Sequence, residues 1–383
     1  MAPARHLLSI GIETTAEDAM RRPRLTAIPA DLVSLDDYAR LADDHIDAPV
    51  RAHIEGGSGA EQTLAANRAA FGTIHIYNRL LGDMRRGSTA TRLLGTDLHH
   101  PILLAPVAYQ KLVHPEGEVA TARGALDTLM VASTLASATL EEIAAASAGP
   151  LWFQLYMQPR REDTLALVRR AEAAGYRAIM VTLDTSVQTP PRAAQRLGFQ
   201  LPGDVRPENL RDQAPLAPVA LPPDASIVFQ GAMADAPRAE DLDWLLSETR
   251  LPVIAKGVLH PADAEMLRSM GVAGIVVSNH GGRGLDGAPA SLAALPAIRA
   301  ALGRDYPVLL DGGIRSGTDA FKALACGADA VMIGRPQIHA LAVAGSLGVA
   351  HMTRMIRQEL EIAMALAGRA TIADIDDTAL FPC

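Results

Sequence analysis

The sequence predicts an α/β fold, a closed (β/α)8 TIM barrel, and three observations carry that prediction. Eight short apolar runs rich in branched residues recur along the 383-residue chain, segments of helical apolar spacing separate them, and polar or ionisable residues close every run. The runs are ILLAPVA from Ile102, LMVAST from Leu129, WFQLY from Trp152, AIMVTLD from Ala178, PVIAKG from Pro252, GIVVSN from Gly274, PVLLDGG from Pro307 and AVMIGR from Ala330. They typically start about 22 to 33 residues apart, as strand–helix units require, with EDTLALVRRAEAAGY, ADAEMLRSMG and GTDAFKALACG among the intervening helices. Continuous rather than alternating apolar strands imply burial on both faces. Eight such units suit a closed barrel better than the alternative, an open doubly wound sheet.

A bare barrel needs about 250 residues, so the surplus must be placed. Residues 1–383 read as one domain, with 1–100 as an N-terminal helical extension and 185–250 as a long insertion after strand four that contains a lid. In the extension LVSLDDYARLADDHI and AEQTLAANRAAF read as helices around the turn EGGSG at 55–59; such a segment plugs the amino-terminal end of many barrels. The insertion contains LPGDVRPENLRDQAPLAPVALPPDAS, too dense in Pro, Ala and Asp for regular structure. Long loops on barrels are most often lids or binding loops, and a disordered surface excursion is the alternative.

Composition narrows the function. At 20% charged and 49% hydrophobic residues the chain can bury a large core, and its net charge of −8 argues against charge-driven binding to nucleic acid or an anionic membrane. Cys326 and Cys383 alone make neither a disulfide framework nor a cysteine zinc site. No apolar run approaches the length of a membrane span, and the amino terminus, MAPARHLLSIGIETTAEDAMRRPRL, lacks the uninterrupted apolar core of a secretory signal, so a cytoplasmic location is expected. No metal site is expected, since HExxH and CxxC are absent and His99–His100 adjoin the non-catalytic end of the first strand.

In a barrel the chemistry lies at the carboxyl ends of the strands. Those ends carry Ala108 with Tyr109, Ser133, Gln154 with Tyr156, Thr182 with Asp184, Lys256, Ser278 with His280, Asp311 with Gly312 and Gly313, and Gly334 with Arg335. One polar residue there is usually structural; polar groups on all eight strands mark a functional face. DGGIRSG and GADAVMIGRP, after the last two strands, combine glycines, helix amino ends and the arginines Arg315 and Arg335, as a phosphate site requires. His280 in SNHGGRGLDG can abstract a proton near neutral pH, Arg283 can clamp a carboxylate, and Asp184 can orient the imidazole across the barrel mouth. Together they suit proton removal from a hydroxy acid. Lys256 is read as neutralising an anionic cofactor, with a surface lysine as the plainer alternative.

These residues resemble those of a known family, the FMN-dependent 2-hydroxy acid oxidases and dehydrogenases, from about Leu32 to about Gly368. APVAYQKLVHPEGEVATARGA from Ala105, WFQLY, AKGVLHPADA from Ala255, SNHGGRGLDGAPASLAALP from Ser278 and DGGIRSGTDAFKALACGADAVMIGRP from Asp311 carry the resemblance. It implies FMN on the carboxyl face of a (β/α)8 barrel, a small-molecule substrate, oxygen or another electron acceptor, and a homotetramer. It further implies that Pro106, Val107, Ala108, Ser133, Gln154, Thr182, Lys256 and Ser278 hold the isoalloxazine, and that Asp311, Gly312, Gly313, Arg315, Gly334 and Arg335 hold the ribityl phosphate. His280 becomes the base, Arg283 the carboxylate anchor, Asp184 the histidine-orienting group and Tyr156 a substrate-facing hydroxyl. Either the hydroxyl proton goes to His280 as hydride leaves C2, or His280 takes the C2 proton.

The sequence departs from the family pattern at the substrate, where Tyr109 also stands. His53 replaces a tyrosine that often binds the carboxylate, Leu135 a common tryptophan, and Pro191 the usual arginine, whose role Arg192 can take after a shift of one residue. GGSG combined with APVAYQ resembles the hydroxymandelate oxidase type, which implies a bulky or aromatic 2-hydroxy acid. The alternatives are FMN-dependent oxidation of a larger biosynthetic intermediate, and a flavin-binding barrel without turnover, against which His280, Asp184 and Arg283 argue.

Overall fold

The structure, a computed structural model, describes residues 23–188, 190–214 and 221–382; the amino-terminal segment weighed as a secretory signal lies almost wholly outside them, as does Cys383. A two-stranded hairpin, β1 (Thr91–Leu93) and β2 (Thr96–Leu98), precedes eight parallel strands. These are β3 (Ile102–Leu104), β4 (Met130–Ser133), β5 (Leu151–Leu155), β6 (Ile179–Thr182), β7 (Val253–Val258), β8 (Gly274–Val277), β9 (Val308–Asp311) and β10 (Ala330–Ile333). Each coincides with one of the eight apolar runs, β5 starting one residue before its run and β7 ending one residue after. The sheet closes because β10 pairs with β3, Val331 opposite Ile102 and Ile333 opposite Leu104, which excludes the open sheet.

Closure divides the buried side chains into two layers. Leu103, Val131, Trp152, Met180, Ile254, Val276, Leu309 and Met332 fill the lumen, whereas alternate residues such as Leu104, Phe153, Val181, Val277 and Leu310 pack against the outer helices. That alternation is why every strand is apolar on both faces. Leu93 and Leu98 of the hairpin join the lumen cluster and so close the amino-terminal end.

The rest of the extension does something else. Helices Leu35–Ala42 and Gln62–Gly72 match the two expected ones, and between them lies an unexpected third, Ala48–Glu55. Its Pro49 reads as a breaker but sits in the first turn, where a missing N–H costs nothing. This helix reaches the carboxyl face, and its last turn carries His53. The connection after β6 holds the short helix Arg192–Arg196, a 3-10 turn at Glu208–Leu210, a π-helical turn at Ile227–Ala232 and the barrel helix Ala239–Glu248, which buries Leu242 and Leu245. The Pro-rich stretch expected to be irregular therefore carries the Glu208–Leu210 turn, and its last residue, Ser226, caps the π-helical turn that follows. Among the described residues no helix is long and apolar enough to cross a membrane.

Candidate active site

The strand ends converge on a cavity of about 1330 Å³, counted to its open mouth. Of the residues named from the sequence, His53, Pro106, Val107, Ala108, Tyr109, Ser133, Leu135, Gln154, Tyr156, Thr182, Lys256, His280, Arg283, Asp311, Gly312, Gly313, Arg315, Gly334 and Arg335 line it. Asp184 and Ser278 stand directly behind. Arg192 is exposed and lies outside the lining. Pro191 packs on Gly56 so closely that a Cβ on Gly56 would lie 2.3 Å from the Pro191 Cβ, and the helix that starts at Arg192 lies against helix Ala48–Glu55 with Ala194 buried.

His280 Nδ1 lies 3.0 Å from Asp184 Oδ1, which leaves Nε2 as the free ring nitrogen. A neutral imidazole that donates through Nδ1 accepts through Nε2. Burial works against the charge of Asp184, but the hydrogen bond from His280 and the charge of Lys256 are among the effects that outweigh it and hold the carboxyl below its ordinary range. The aspartate thus stays anionic to orient the ring. His280 has a φ of 59°, left-handed for a residue with a Cβ, and Tyr109 across the cavity has 55°. Such strain costs on the order of 1–3 kcal/mol and clusters at functional sites.

Arg283 donates through Nη1 to the carbonyls of His53, at 2.6 Å, and Gly56, at 3.1 Å. These are carbonyls at the end of helix Ala48–Glu55, where the dipole welcomes a cation. Among the described residues no carboxylate bonds it, and burial pulls its pKa down from the ordinary value. A buried guanidinium held only by carbonyls is a ready partner for an anion. Burial also raises the Tyr156 hydroxyl, so it stays protonated and can donate. Burial and the charge of Arg283 bring His53 down to about 4, leaving it neutral; its ring stacks on Phe199 of the insertion, centroids 4.3 Å apart.

Lys256 is buried, 3% exposed, not a surface lysine. Its ammonium lies 3.0 Å from Asp311 Oδ2 and donates to Ser278 Oγ at 2.8 Å. Burial opposes its charge, but Asp311 and Asp184 outweigh that and hold it above the ordinary lysine value. Ser278 Oγ also accepts from the His280 N–H at 3.0 Å, linking the lysine to the histidine loop. Gln154 ties the neighbouring strands, donating to Thr182 Oγ1 at 3.0 Å and accepting from Ser133 Oγ at 3.2 Å.

Three observations show that these residues fit FMN. Asp311 Oδ1 is buried without a hydrogen-bond partner. A Cβ built on Gly334, before the helix that begins at Arg335, would meet nothing within 4 Å. Arg315 is brought down to about 10 by burial and by the charge of Arg335, and Arg335 to about 10 by burial and by the charge of Arg283; the hydrogen bonds of both guanidiniums go to carbonyls. Two guanidiniums at a helix amino end suit a phosphate. The resemblance groups Asp311 with the phosphate residues, but a carboxylate paired with Lys256 would repel phosphate, so its free oxygen suits a ribityl hydroxyl. Among the described residues no group of three or more His, Cys, Asp or Glu is placed to hold a metal ion.

Sequence reasoning missed Gln188, at the mouth, and Phe199. Both lie in the insertion, where no periodicity marks which side chains turn inward.

Fold and site together define a TIM barrel whose carboxyl face carries a cavity that fits a flavin, with a buried guanidinium beside a histidine–aspartate pair. A profile of the FMN-dependent dehydrogenase family matches residues 42–382. The chain is 57% identical over 357 residues to the L-lactate oxidase of Alicycliphilus denitrificans, covering 93% of this chain and 98% of that protein. It is 38% identical over 357 residues to glycolate oxidase 3 of Arabidopsis thaliana, covering 91% and 95%. A solved structure of mandelate oxidase with benzoyl-formic acid matches with a TM-score of 0.82 at 39% identity, over 91% of this chain and 98% of that one. The chain belongs to the family of FMN-dependent 2-hydroxy acid oxidases and dehydrogenases, and its cofactor is FMN.

Proposed function

We propose that the protein oxidises a small (S)-2-hydroxy acid of the lactate class to its 2-keto acid. The observation that carries this reading is the buried Arg283 guanidinium, held by carbonyls alone, on the same cavity wall as the free nitrogen of a His280–Asp184 pair. Arg283 holds the substrate carboxylate through its planar fork. Tyr156 donates a further hydrogen bond. His280 Nε2 takes the 2-hydroxyl proton, and anionic Asp184 stabilises the imidazolium that results. Bound FMN supplies the two-electron acceptor for oxidation at C2. Lys256 places a buried positive charge in the cavity lining, and the Gln154, Ser133 and Thr182 network offers polar contacts to a flavin ring.

Similarity to the L-lactate oxidase of Alicycliphilus denitrificans supports the small acid. A second reading, a bulky or aromatic acid, is supported by Leu135 on the cavity wall and by the likeness to mandelate oxidase. Anaerobic flavin reduction by L-lactate, glycolate and (S)-mandelate separates them. The proposal expects L-lactate to reduce the flavin fastest; faster reduction by mandelate would establish the second reading, and reduction only by an alcohol that is not a 2-hydroxy acid would remove both. Admitting oxygen then tests our further expectation of an oxidase, which forms hydrogen peroxide. The family resemblance also supports a homotetramer, for which sedimentation is the test.

A further inference from the structure

The last turn of helix Ala48–Glu55 is gripped by three side chains, two arginines and a histidine. Arg283 takes the carbonyls of His53 and Gly56, and Arg335 takes those of Ile54 and Gly56 at 2.9 and 3.0 Å. The third contact is a hydrogen bond between the Glu55 carboxylate and His339 Nε2. His339 lies one turn beyond Arg335 on the same helix, so both side chains reach Glu55's segment from one face. It is buried, and none of the chemistry above uses it.

The position of Glu55 is hazardous for a phosphate site. Its charge bears on both Arg335 and Arg315, whose own bonds go to carbonyls. An unattached carboxylate beside two such guanidiniums would pair with them, since bidentate arginine–carboxylate contacts are among the stronger hydrogen bonds. Each such contact would withdraw a donor from the phosphate. Glu55 does not escape by protonation. Burial opposes its charge, but His339 and the two arginines outweigh that and bring it down to about 2.

We propose that His339 is a positioning residue for the cofactor phosphate: by holding Glu55 on its own nitrogen, it keeps Arg335 and Arg315 free to bind FMN. The inference rests on the family's cofactor and is independent of the substrate. Equilibrium dialysis of the full-length chain against FMN and against riboflavin, which lacks the phosphate, tests it. His339→Phe keeps a ring in the buried slot but removes both nitrogens; it raises the Kd for FMN about tenfold and leaves that for riboflavin unchanged. Adding Glu55→Gln to His339→Phe removes the competing carboxylate and restores FMN binding to within about threefold of wild type. Unchanged FMN affinity in His339→Phe, equal loss of both ligands, or failure of the double variant to recover overturns the proposal. Should His339→Phe not fold, Glu55→Gln alone decides: FMN affinity held or improved supports the proposal, and affinity weakened tenfold contradicts it.

Discussion

The cofactor wall of the cavity is made of strand ends and the turns that follow them, with Lys256, Asp311, Gln154 and Thr182 fixed by the closed sheet. The wall we assign to the substrate adds parts the barrel does not need: His53 on helix Ala48–Glu55 and Gln188 on the insertion line it, and Phe199 of the insertion stacks on His53. The first wall is locked by hydrogen bonds between neighbouring strands. The second is locked by an extension and an insertion docking on each other, through Pro191 on Gly56 and Phe199 on His53. Arg283 belongs to both, rising from the loop after β8 and gripping the extension. Such a division lets the substrate change while the cofactor site stays fixed. It predicts that substitutions on one wall leave the other wall's ligand alone.

The largest effect is expected at His280. His280→Ala lowers the rate of flavin reduction by a factor of about 10² to 10⁴, the usual contribution of a general base, with FMN still bound. Stopped-flow reduction together with the flavin content of the purified variant checks this; equal loss of flavin would place the histidine on the cofactor wall. Lys256→Met leaves Asp311 buried without its cation and destabilises the fold by about 3–5 kcal/mol. Urea unfolding measures that loss, and an undiminished midpoint would show the pair to be replaceable. Arg283→Lys substitutes a point charge for the fork, and the KM for the hydroxy acid rises about 10- to 100-fold, the worth of a charge-assisted hydrogen bond. Its FMN content stays that of wild type.

Much of the cofactor wall was legible because each apolar run ends where its strand ends, so the residue after it falls on the catalytic face. The Lys256–Asp311 pair was not. These residues stand on β7 and β9, with β8 between, and only closure of the barrel turns both side chains into the lumen. The substrate wall was half legible. His53 was found by resemblance, but the helix that carries it was hidden by Pro49 and by its length of eight residues. Pro191 looked like a lost arginine, whereas the structure gives it a packing role against Gly56 that no local pattern announces. Arg192, expected at the substrate, is exposed and outside the cavity lining.

Smaller effects probe the docking of the two substrate-wall segments. Phe199→Ala removes an aromatic stack worth about 0.5–1.5 kcal/mol and raises the substrate KM severalfold, with FMN affinity unchanged; weakened FMN binding would join the two walls. The pH dependence of stability offers a gentler test. His53 falls from 6.5 to about 4 on folding, so the unfolded chain binds more protons between those values, and stability declines as the pH drops through that window. His53→Phe keeps the stack and removes the titration. Its melting temperature therefore falls less steeply than that of wild type from about pH 6.5 to 4.5, and parallel curves would show that the histidine is not held neutral.

The central claim is that Arg283 and the His280–Asp184 pair act together on a 2-hydroxy acid beside FMN. Anaerobic mixing of the FMN-loaded protein with L-lactate tests it most directly, read as loss of the oxidised flavin's visible absorbance. The account predicts complete bleaching by the (S)-2-hydroxy acid in wild type and none within the same period in His280→Ala. A bound flavin that stays oxidised with lactate, glycolate and mandelate alike would contradict it.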